Sequence, residues 1–215
     1  MTPRCIILGG GGHARALIDV IEARGGISIH GILESNRSLW GRPLLGVAVL
    51  GGDELLASLA REGVEHFLVG VGSTRRNERR RQLFDAAVAA GLRPLTVTHP
   101  SAVCSPRASL GAGVVVLAGA IVNTGAALGD NAIVNCGAIV EHDCRVGRHV
   151  HVASGACLAG GVQVGDDAFV GAGATVRQQV VIGAGAVIGA GAVVLTDVPP
   201  GITVVGVPAK PLRRQ

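Results

Sequence analysis

From Leu110 onward every sixth residue is Leu, Val or Ile, running through Val116, Val122, Leu128, Val134 and Val140 to Val194 without exception. The positions four further on, from Val114, Ala120 and Ala126 to Val198, are Ala, Val or Cys throughout. A period of six fits neither the 3.6 of an amphipathic helix nor the alternation of a simple strand. Hexapeptides of fixed period are the mark of a β-helix. The two columns, one large and one small, are predicted to point inward and fill a narrow prism. Glycine often follows the large aliphatic, as at Gly111, Gly129 and Gly147, and is expected there to relieve the corner between strands.

Composition agrees with a narrow interior. Aromatics are 2% of the 215 residues, with three Phe, one Trp and no Tyr, while 34 are Gly and 48% are hydrophobic. Such a chain has little polar surface with which to cover itself, so faces buried between subunits are expected. Hydropathy alone would mark Leu110 to Gly129 and Val180 to Thr196 as membrane spans. The six-residue period removes that reading, and no membrane insertion is expected. Five unevenly spaced cysteines and an N-terminus, MTPRCIIL, without a long apolar stretch point to a reducing, cytoplasmic setting. The net charge of +4 suits anionic small molecules. The densest basic run, RRNERRR from Arg75 to Arg81, has no interleaved aromatics to stack on bases, so it reads as a solvated helix face and no nucleic-acid partner is expected.

The first half has a different texture. Cys5 to Leu8 reads as a strand, Gly9 to Gly12 as a glycine loop, His13 to Arg24 as a helix burying Leu17, Val20 and Ile21, and Ser28 to Leu33 as a second strand ending at Glu34. HFLVGVG is a further strand running into Gly70 to Gly72, and RRQLFDAAVAAGL a helix. This order predicts a small parallel α/β, Rossmann-like domain over residues 1–95, then a solenoid over 96–198 and a tail over 199–215. Gly9, Gly11 and Ala14 satisfy G-x-G-x-x-A, and Glu34 lies twenty residues beyond Ala14, so a dinucleotide reading is open. The physical content is broader. Residues without side chains let backbone N–H groups and a helix N-terminus approach any nucleotide diphosphate, and a tight turn that binds nothing is the plain alternative.

Charge is concentrated in one place in the solenoid. Of eleven titratable side chains between Leu110 and Val194, seven fall between Glu141 and His151. Acyl transfer from a thioester needs a base to take the nucleophile's proton, and histidine titrates in the right range. A neighbouring carboxylate fixes the ring's tautomer and stabilises the imidazolium; Asp143 or Glu141 is placed to do so for His142. His142 falls two places after Val140, off both inward columns, and is predicted at the prism surface. Metal ligation by His142, His149, His151, Cys136 and Cys144 is the competing reading. Cys144 sits in the small inward column and the histidines fall on different corners, so no metal is expected. His149 reads as merely exposed.

Both halves together resemble the bacterial sialic acid O-acetyltransferase and nucleotide-amino-sugar N-acetyltransferase family. The resemblance rests on GGGGHA at the first turn, HPSA at the junction, the triplet EHD, HVASGACLAGG and the closing GVPAK. It implies a left-handed parallel β-helix of 18-residue coils that associates as a homotrimer, and an acetyl-CoA-dependent transfer to the amino group of a nucleotide-linked amino sugar for surface glycan synthesis. It further implies His142 as general base with Asp143 as its partner. With an 18-residue coil, Gly160 lies one layer above His142, about 4.8 Å away, its N–H available to an oxyanion. His151, half a coil from His142 and therefore available from a neighbouring subunit, is implied on the acetyl-CoA side, with Ala172 and Ala190 lining the pantetheine groove. Gly11, Gly12, His13, Glu34, Gly72 and Ser73 are implied around the nucleotide-sugar, and Asn135 facing the sugar near His142. O-acetylation of sialic acid or another sugar hydroxyl, and a non-catalytic nucleotide-sugar-binding scaffold, are the rival readings.

Overall fold

The computed structural model describes residues 2–73 and 77–212, so part of the basic run, Arg75 and Arg76, lies outside the described residues. By its packing the chain forms two units. One runs to Gly72 and resumes from Arg79 to Pro100; the other takes Ser73, Asn77 and Glu78 with the chain from Ser101 onward. Asn77 is sewn into the second unit, its side-chain amide donating to the carbonyls of Asp167 (3.0 Å) and Ala168 (3.1 Å).

The first unit is built on a six-stranded sheet. Its strands are β1 (Arg4–Leu8), β2 (Ser28–Leu33), β3 (Pro43–Leu44), β4 (Val47–Gly51), β5 (His66–Val69) and β6 (Arg93–Pro94), in the order β3-β4-β2-β1-β5-β6. All pairs are parallel except β3 with β4. Cys5 to Leu8 are fully buried in the middle of the sheet, as an uninterrupted apolar run in a two-sided parallel sheet should be. The helices are α1 (Gly12–Arg24), α2 (Leu56–Arg61) and α3 (Glu78–Ala89). Helix α1 buries Ala14, Leu17, Ile18, Val20 and Ile21 on one stripe. The β3–β4 hairpin and α2 were not legible in the sequence. Leu45 takes a positive φ of 47° beside Gly46 at 82°, and a leucine in that conformation carries no turn signature. Because β2 and β5 flank β1 on opposite sides, the connections after β1 diverge at its C-terminal end. Open α/β sheets bind ligands at that switch point.

In the second unit the strands from Val103 to Val194 pair with strands eighteen residues away. On one sheet the register runs Ile121↔Ile139↔Cys157↔Thr175↔Val193. A second contains Ile133, His151, Phe169 and Val187, and a third Ala127, Arg145, Gln163 and Val181. We call the faces that carry the His151, Cys157 and Gln163 strands the first, second and third. They close a left-handed parallel β-helix of 18-residue coils. The predicted inward columns form one apolar cluster, buried at every position except Leu110, which is half-buried in an early coil. Each strand from Val103 to Val194 is only two residues long, so the coil's stability resides in the stacked aliphatic columns and the backbone ladder between coils. Beyond Val198 the chain adds Thr203–Val205 to the first face, and Lys210–Pro211 pairs antiparallel with it.

The glycines after the large aliphatics act differently from the expectation. The residue with positive φ lies two places further on, three after the aliphatic, for example Asn131, His149, Asp167 and Gly185. The glycines themselves are required because neighbouring coils touch through backbone. A Cβ at Gly129 would stand 2.7 Å from Arg148 N, and one at Gly165 2.5 Å from Ala184 N. His149 also departs from its expectation. It is 3% exposed and its Nδ1 meets the Asn131 side-chain amide at 3.0 Å. Among the described residues no helix is long and apolar enough to cross a membrane.

Leu158 lies at full burial in the large column beside Val140 and Val176. Leu158→Ala should lower stability by about 2–5 kcal/mol, read as a reduced midpoint in denaturant unfolding. No change would show that the columns do not carry the fold.

Candidate active site

The turn between the second and third faces carries the EHD triplet. Val140 is its last inward residue, so Glu141 leads out of the strand, and His142 and Asp143 form the protruding tip. Asp143 is the turn residue with positive φ, 59°, a conformation Asp tolerates better than most side chains. That twist brings its carboxylate back to its neighbour. His142 Nδ1 and Asp143 Oδ2 are 2.9 Å apart, with both side chains more than half exposed. A carboxylate there selects the tautomer with the proton on Nδ1 and leaves the Nε2 lone pair free to act as a base.

Nε2 points at Gly160 in the next coil. A Cβ built there would lie 2.5 Å from His142 Nε2 and 2.6 Å from Cε1, so the imidazole occupies the space that any other residue would fill. The Gly160 N–H is distinguished by what precedes it. At the equivalent position in lower coils the preceding side chain caps the N–H: Asn123 Oδ1 accepts from Thr124 N at 2.7 Å and Glu141 Oε2 from His142 N at 3.2 Å. Ala159 has no such atom, which leaves the N–H at Gly160 beside the histidine open to an incoming acceptor.

Glu141 therefore has a different task from Asp143. Its Oε2 also accepts from the Asn123 side-chain amide at 2.9 Å, tying the triplet to the coil below. Burial first, and then the charge of Glu141, push the Cys157 thiol up, so that cysteine is a poor nucleophile. Asn123 belongs to none of the motifs in the sequence. Its signal was its place eighteen residues before Glu141, in a position where another corner of the prism has only glycine.

The other solenoid residues lie at the opposite edge of the second face. Asn135 leaves the strand of the first face, and its Oδ1 accepts from Cys136 N at 2.8 Å, which fixes the amide's orientation. Its Nδ2 then meets His151 Nε2 at 3.1 Å, making that nitrogen the acceptor and placing the ring proton on Nδ1. His151 is 5% exposed and packs edge-to-face on Phe169, centroids 5.4 Å apart. Ala172 and Ala190 stand exposed in the turns of the same corner. Within one chain, His142, Asp143 and Gly160 thus share one corner, and Asn135, Ala172 and Ala190 the next, with the outward side chains of Ile121, Ile139, Cys157 and Val193 between them. Among the described residues no three His, Cys, Asp or Glu side chains gather as a metal site.

In the first unit, the predicted nucleotide residues meet at the switch point. Gly11 is the N-cap of α1, with no side-chain cap and no acidic residue in the first turn, so the helix start is electropositive. A Cβ at Gly11 or Gly12 would meet nothing within 4 Å. These two glycines border open space and are not packing requirements. Gly72 approaches His13, where a Cβ would stand 3.4 Å from the His13 Cβ. Glu34 is held by the loop: Oε2 accepts from Gly10 N at 2.7 Å, Oε1 from Asn36 N at 2.9 Å and from the Ser35 hydroxyl at 3.1 Å. Burial works to raise its carboxyl, but these donors outweigh it and hold Glu34 below its ordinary value. The sequence-predicted Ser73 is buried in the second unit.

Two hexapeptide-repeat transferase families match the solenoid: bacterial transferase hexapeptide (six repeats) over 161–196, and hexapeptide repeat of succinyl-transferase over 137–178. The PglD N-terminal domain matches residues 4–87. No curated protein matches the chain. Among solved structures, a histidine mutant of perosamine N-acetyltransferase from Caulobacter crescentus, in complex with CoA and GDP-perosamine, is 40% identical. It covers 100% of this chain and 99% of its own, with a TM-score of 0.94. The acetyltransferase domain of PglB from Neisseria gonorrhoeae, in complex with acetyl coenzyme A, is 38% identical over 99% of this chain and 100% of that one, with a TM-score of 0.89. WeeI from Acinetobacter baumannii, at 24% identity and a TM-score of 0.83 over 98% of this chain and 100% of its own, shares the fold. Fold and repeats define a hexapeptide-repeat acyltransferase. The chain belongs to the bacterial sialic acid O-acetyltransferase and nucleotide-amino-sugar N-acetyltransferase family.

Gly160→Ala adds one methyl where the imidazole lies. The exposed His142 ring can yield, so folding should be unaffected, while its displacement by about 1 Å should lower kcat on the order of 10²-fold. Full turnover by a Gly160→Ala variant of unchanged melting temperature would separate this glycine from the chemistry.

Proposed function

We propose that the chain transfers the acetyl group of acetyl-CoA to the amino group of a nucleotide-linked amino sugar, with His142 as the general base. The observation that carries this reading is the His142–Asp143 pair with its free Nε2 set over Gly160. The sugar's amine attacks the thioester carbonyl as Nε2 takes its proton, and Asp143 stabilises the imidazolium so formed. The Gly160 N–H donates to the oxygen that gains negative charge. Collapse of the adduct breaks the carbon–sulfur bond, and the proton on Nε2 passes to the departing CoA thiolate. The relatives crystallised with GDP-perosamine and with acetyl coenzyme A support an amine acceptor and an acetyl donor.

Gly11, Gly12, His13 and Gly72 form the diphosphate site in this proposal, with Glu34 holding the turn's shape. The working unit is a homotrimer. The second face presents Val103, Ile121, Ile139 and Val193 outward, and a threefold assembly packed on it would join the His142 corner of one copy to the His151, Ala172 and Ala190 corner of another. Asn135 would then face the sugar from that second copy. A cytoplasmic setting, where acetyl-CoA is made, suits five free thiols.

The direct test is a panel of nucleotide amino sugars, with GDP- and UDP-linked amines beside hydroxyl-only analogues, scored for CoA release. Turnover of amines alone is expected; acetylation of hydroxyl-only sugars alone would replace the N-acetyl reading with O-acetylation. His142→Ala should lower kcat by about 10²-fold to 10⁴-fold with both substrates still bound, and the defect should shrink at high pH as the amine loses its own proton. Asp143→Asn should cost less, and the double variant little more than His142→Ala. Gly11→Leu enters open space, so it should raise the KM for the nucleotide-sugar at least about tenfold while leaving that for acetyl-CoA near its original value. Equal rises in both would make the turn merely structural. Light scattering should give three times the chain mass, and a fully active monomer would remove the shared site.

A further inference from the structure

The glycine turn after β1 and the loop after β5 approach each other so closely that neither Gly9 nor Gly70 has room for a side chain. A Cβ at Gly70 would collide with Gly9 O and stand 3.1 Å from the Ala14 Cβ, and one at Gly9 would lie 2.5 Å from Val71 Cγ2. Gly70 N still follows the sheet, donating to Leu8 O at 2.7 Å. Past Gly70 another group takes over. Arg80, in the first turns of α3, sends Nη1 to Val69 O at 3.2 Å and Val71 O at 2.5 Å, the carbonyls on either side of Gly70.

Arg80 is 1% exposed, among the largest fully buried side chains of the chain. Burial pushes its guanidinium down to about 9, which leaves it protonated at neutral pH. Burying a cation costs far more than burying an apolar side chain of similar reach, such as methionine, and core packing alone would not select one. What a guanidinium supplies and an aliphatic cannot is a planar nitrogen with two N–H donors, one for each carbonyl, and a fixed positive charge behind a loop that must receive an anion.

We propose that Arg80 is a positioning residue for the nucleotide diphosphate: by bridging the Val69 and Val71 carbonyls it holds Gly70 against Gly9, and so sets the spacing between the Gly11–Gly12 helix start and the backbone at Gly72. This rests on the nucleotide-sugar reading of that turn. Arg80 meets no substrate itself; it acts through the two loops. A merely structural arginine would, when lost, lower the melting temperature and the active fraction and affect both substrates alike.

The experiment measures GDP and UDP binding by calorimetry, the KM for nucleotide-sugar and acetyl-CoA, and the melting temperature, for wild type, Arg80→Lys and Arg80→Met. Lysine keeps the charge but replaces the fixed, planar Nη1 with a rotating ammonium on a shorter stem. It should fold, weaken the preferred nucleotide about tenfold, and leave kcat and the KM for acetyl-CoA within about twofold; methionine should weaken the nucleotide about 100-fold with the same split. Gly70→Ala strains the same contact from the other side and should give the same signature, which keeps the test available if a variant at Arg80 fails to fold. Unchanged nucleotide affinity in Arg80→Lys, or parallel losses for both substrates, would overturn the proposal. A wild-type protein that binds neither GDP nor UDP would overturn the nucleotide reading itself, before any variant is compared.

Discussion

Everything in the solenoid depends on one constraint, the approach of each coil to the next through bare backbone. At the corner between the third and first faces, glycine follows the large aliphatic in coil after coil, and a Cβ at Gly129, Gly147 or Gly165 would meet the next coil's main chain. With that corner closed to side chains, the coils stack in a fixed register, and the aliphatic columns fill a core of constant width. The chain has only three Phe and one Trp because a prism this narrow has almost no room for a ring inside; Phe169 lies on the outward side of its strand, against His151.

The same constraint frees the other corners. Where glycine is replaced after the aliphatic, at Asn123, Asn135 and Glu141, the new side chain bonds to the N–H of the following residue. A polar side chain there satisfies a donor that would otherwise face outward, and its absence at Ala159 leaves one open. The active corner is thus defined as much by a missing cap as by the histidine. A rigid scaffold with permissive turns keeps a base, its carboxylate and a backbone donor at fixed separations without help from flexible loops.

Much of this was legible in the sequence because the solenoid repeats. The inward columns and the exposure of His142 follow from counting sixes, and the closeness of Gly160 from the 18-residue coil that the family resemblance implies. The register of Ile139 on Cys157 bears out that arithmetic. What the count could not give was conformation. The glycines after the aliphatics were expected to turn the chain, whereas Asp143 and its equivalents do so; a residue's φ is not visible in a period. His149 was expected exposed because nothing local announces its partner Asn131, eighteen residues away. In the first unit the strand–turn–helix order and the glycine turn were plain, whereas the β3–β4 hairpin hid behind a leucine with positive φ. In the sequence Arg80 is one of several arginines in a basic run that reads as a solvated helix face. Its neighbours Arg79 and Arg81 are exposed, and only tertiary packing distinguishes the three.

The 18-residue register also limits how such a protein can change in length. A triangular coil advances one corner for every six residues, so an inserted or deleted hexapeptide keeps both columns pointing inward and folds without complaint. It nevertheless rotates everything downstream by a third of a turn, and a hexapeptide lost between Asp143 and Gly160 would carry the glycine to a different edge from the histidine. Lengths that are not multiples of six exchange inside for outside. Viable indels within the catalytic coils are therefore confined to whole turns of the prism or to excursions that leave and rejoin at one corner, a quantised grammar that a globular enzyme with irregular loops does not have.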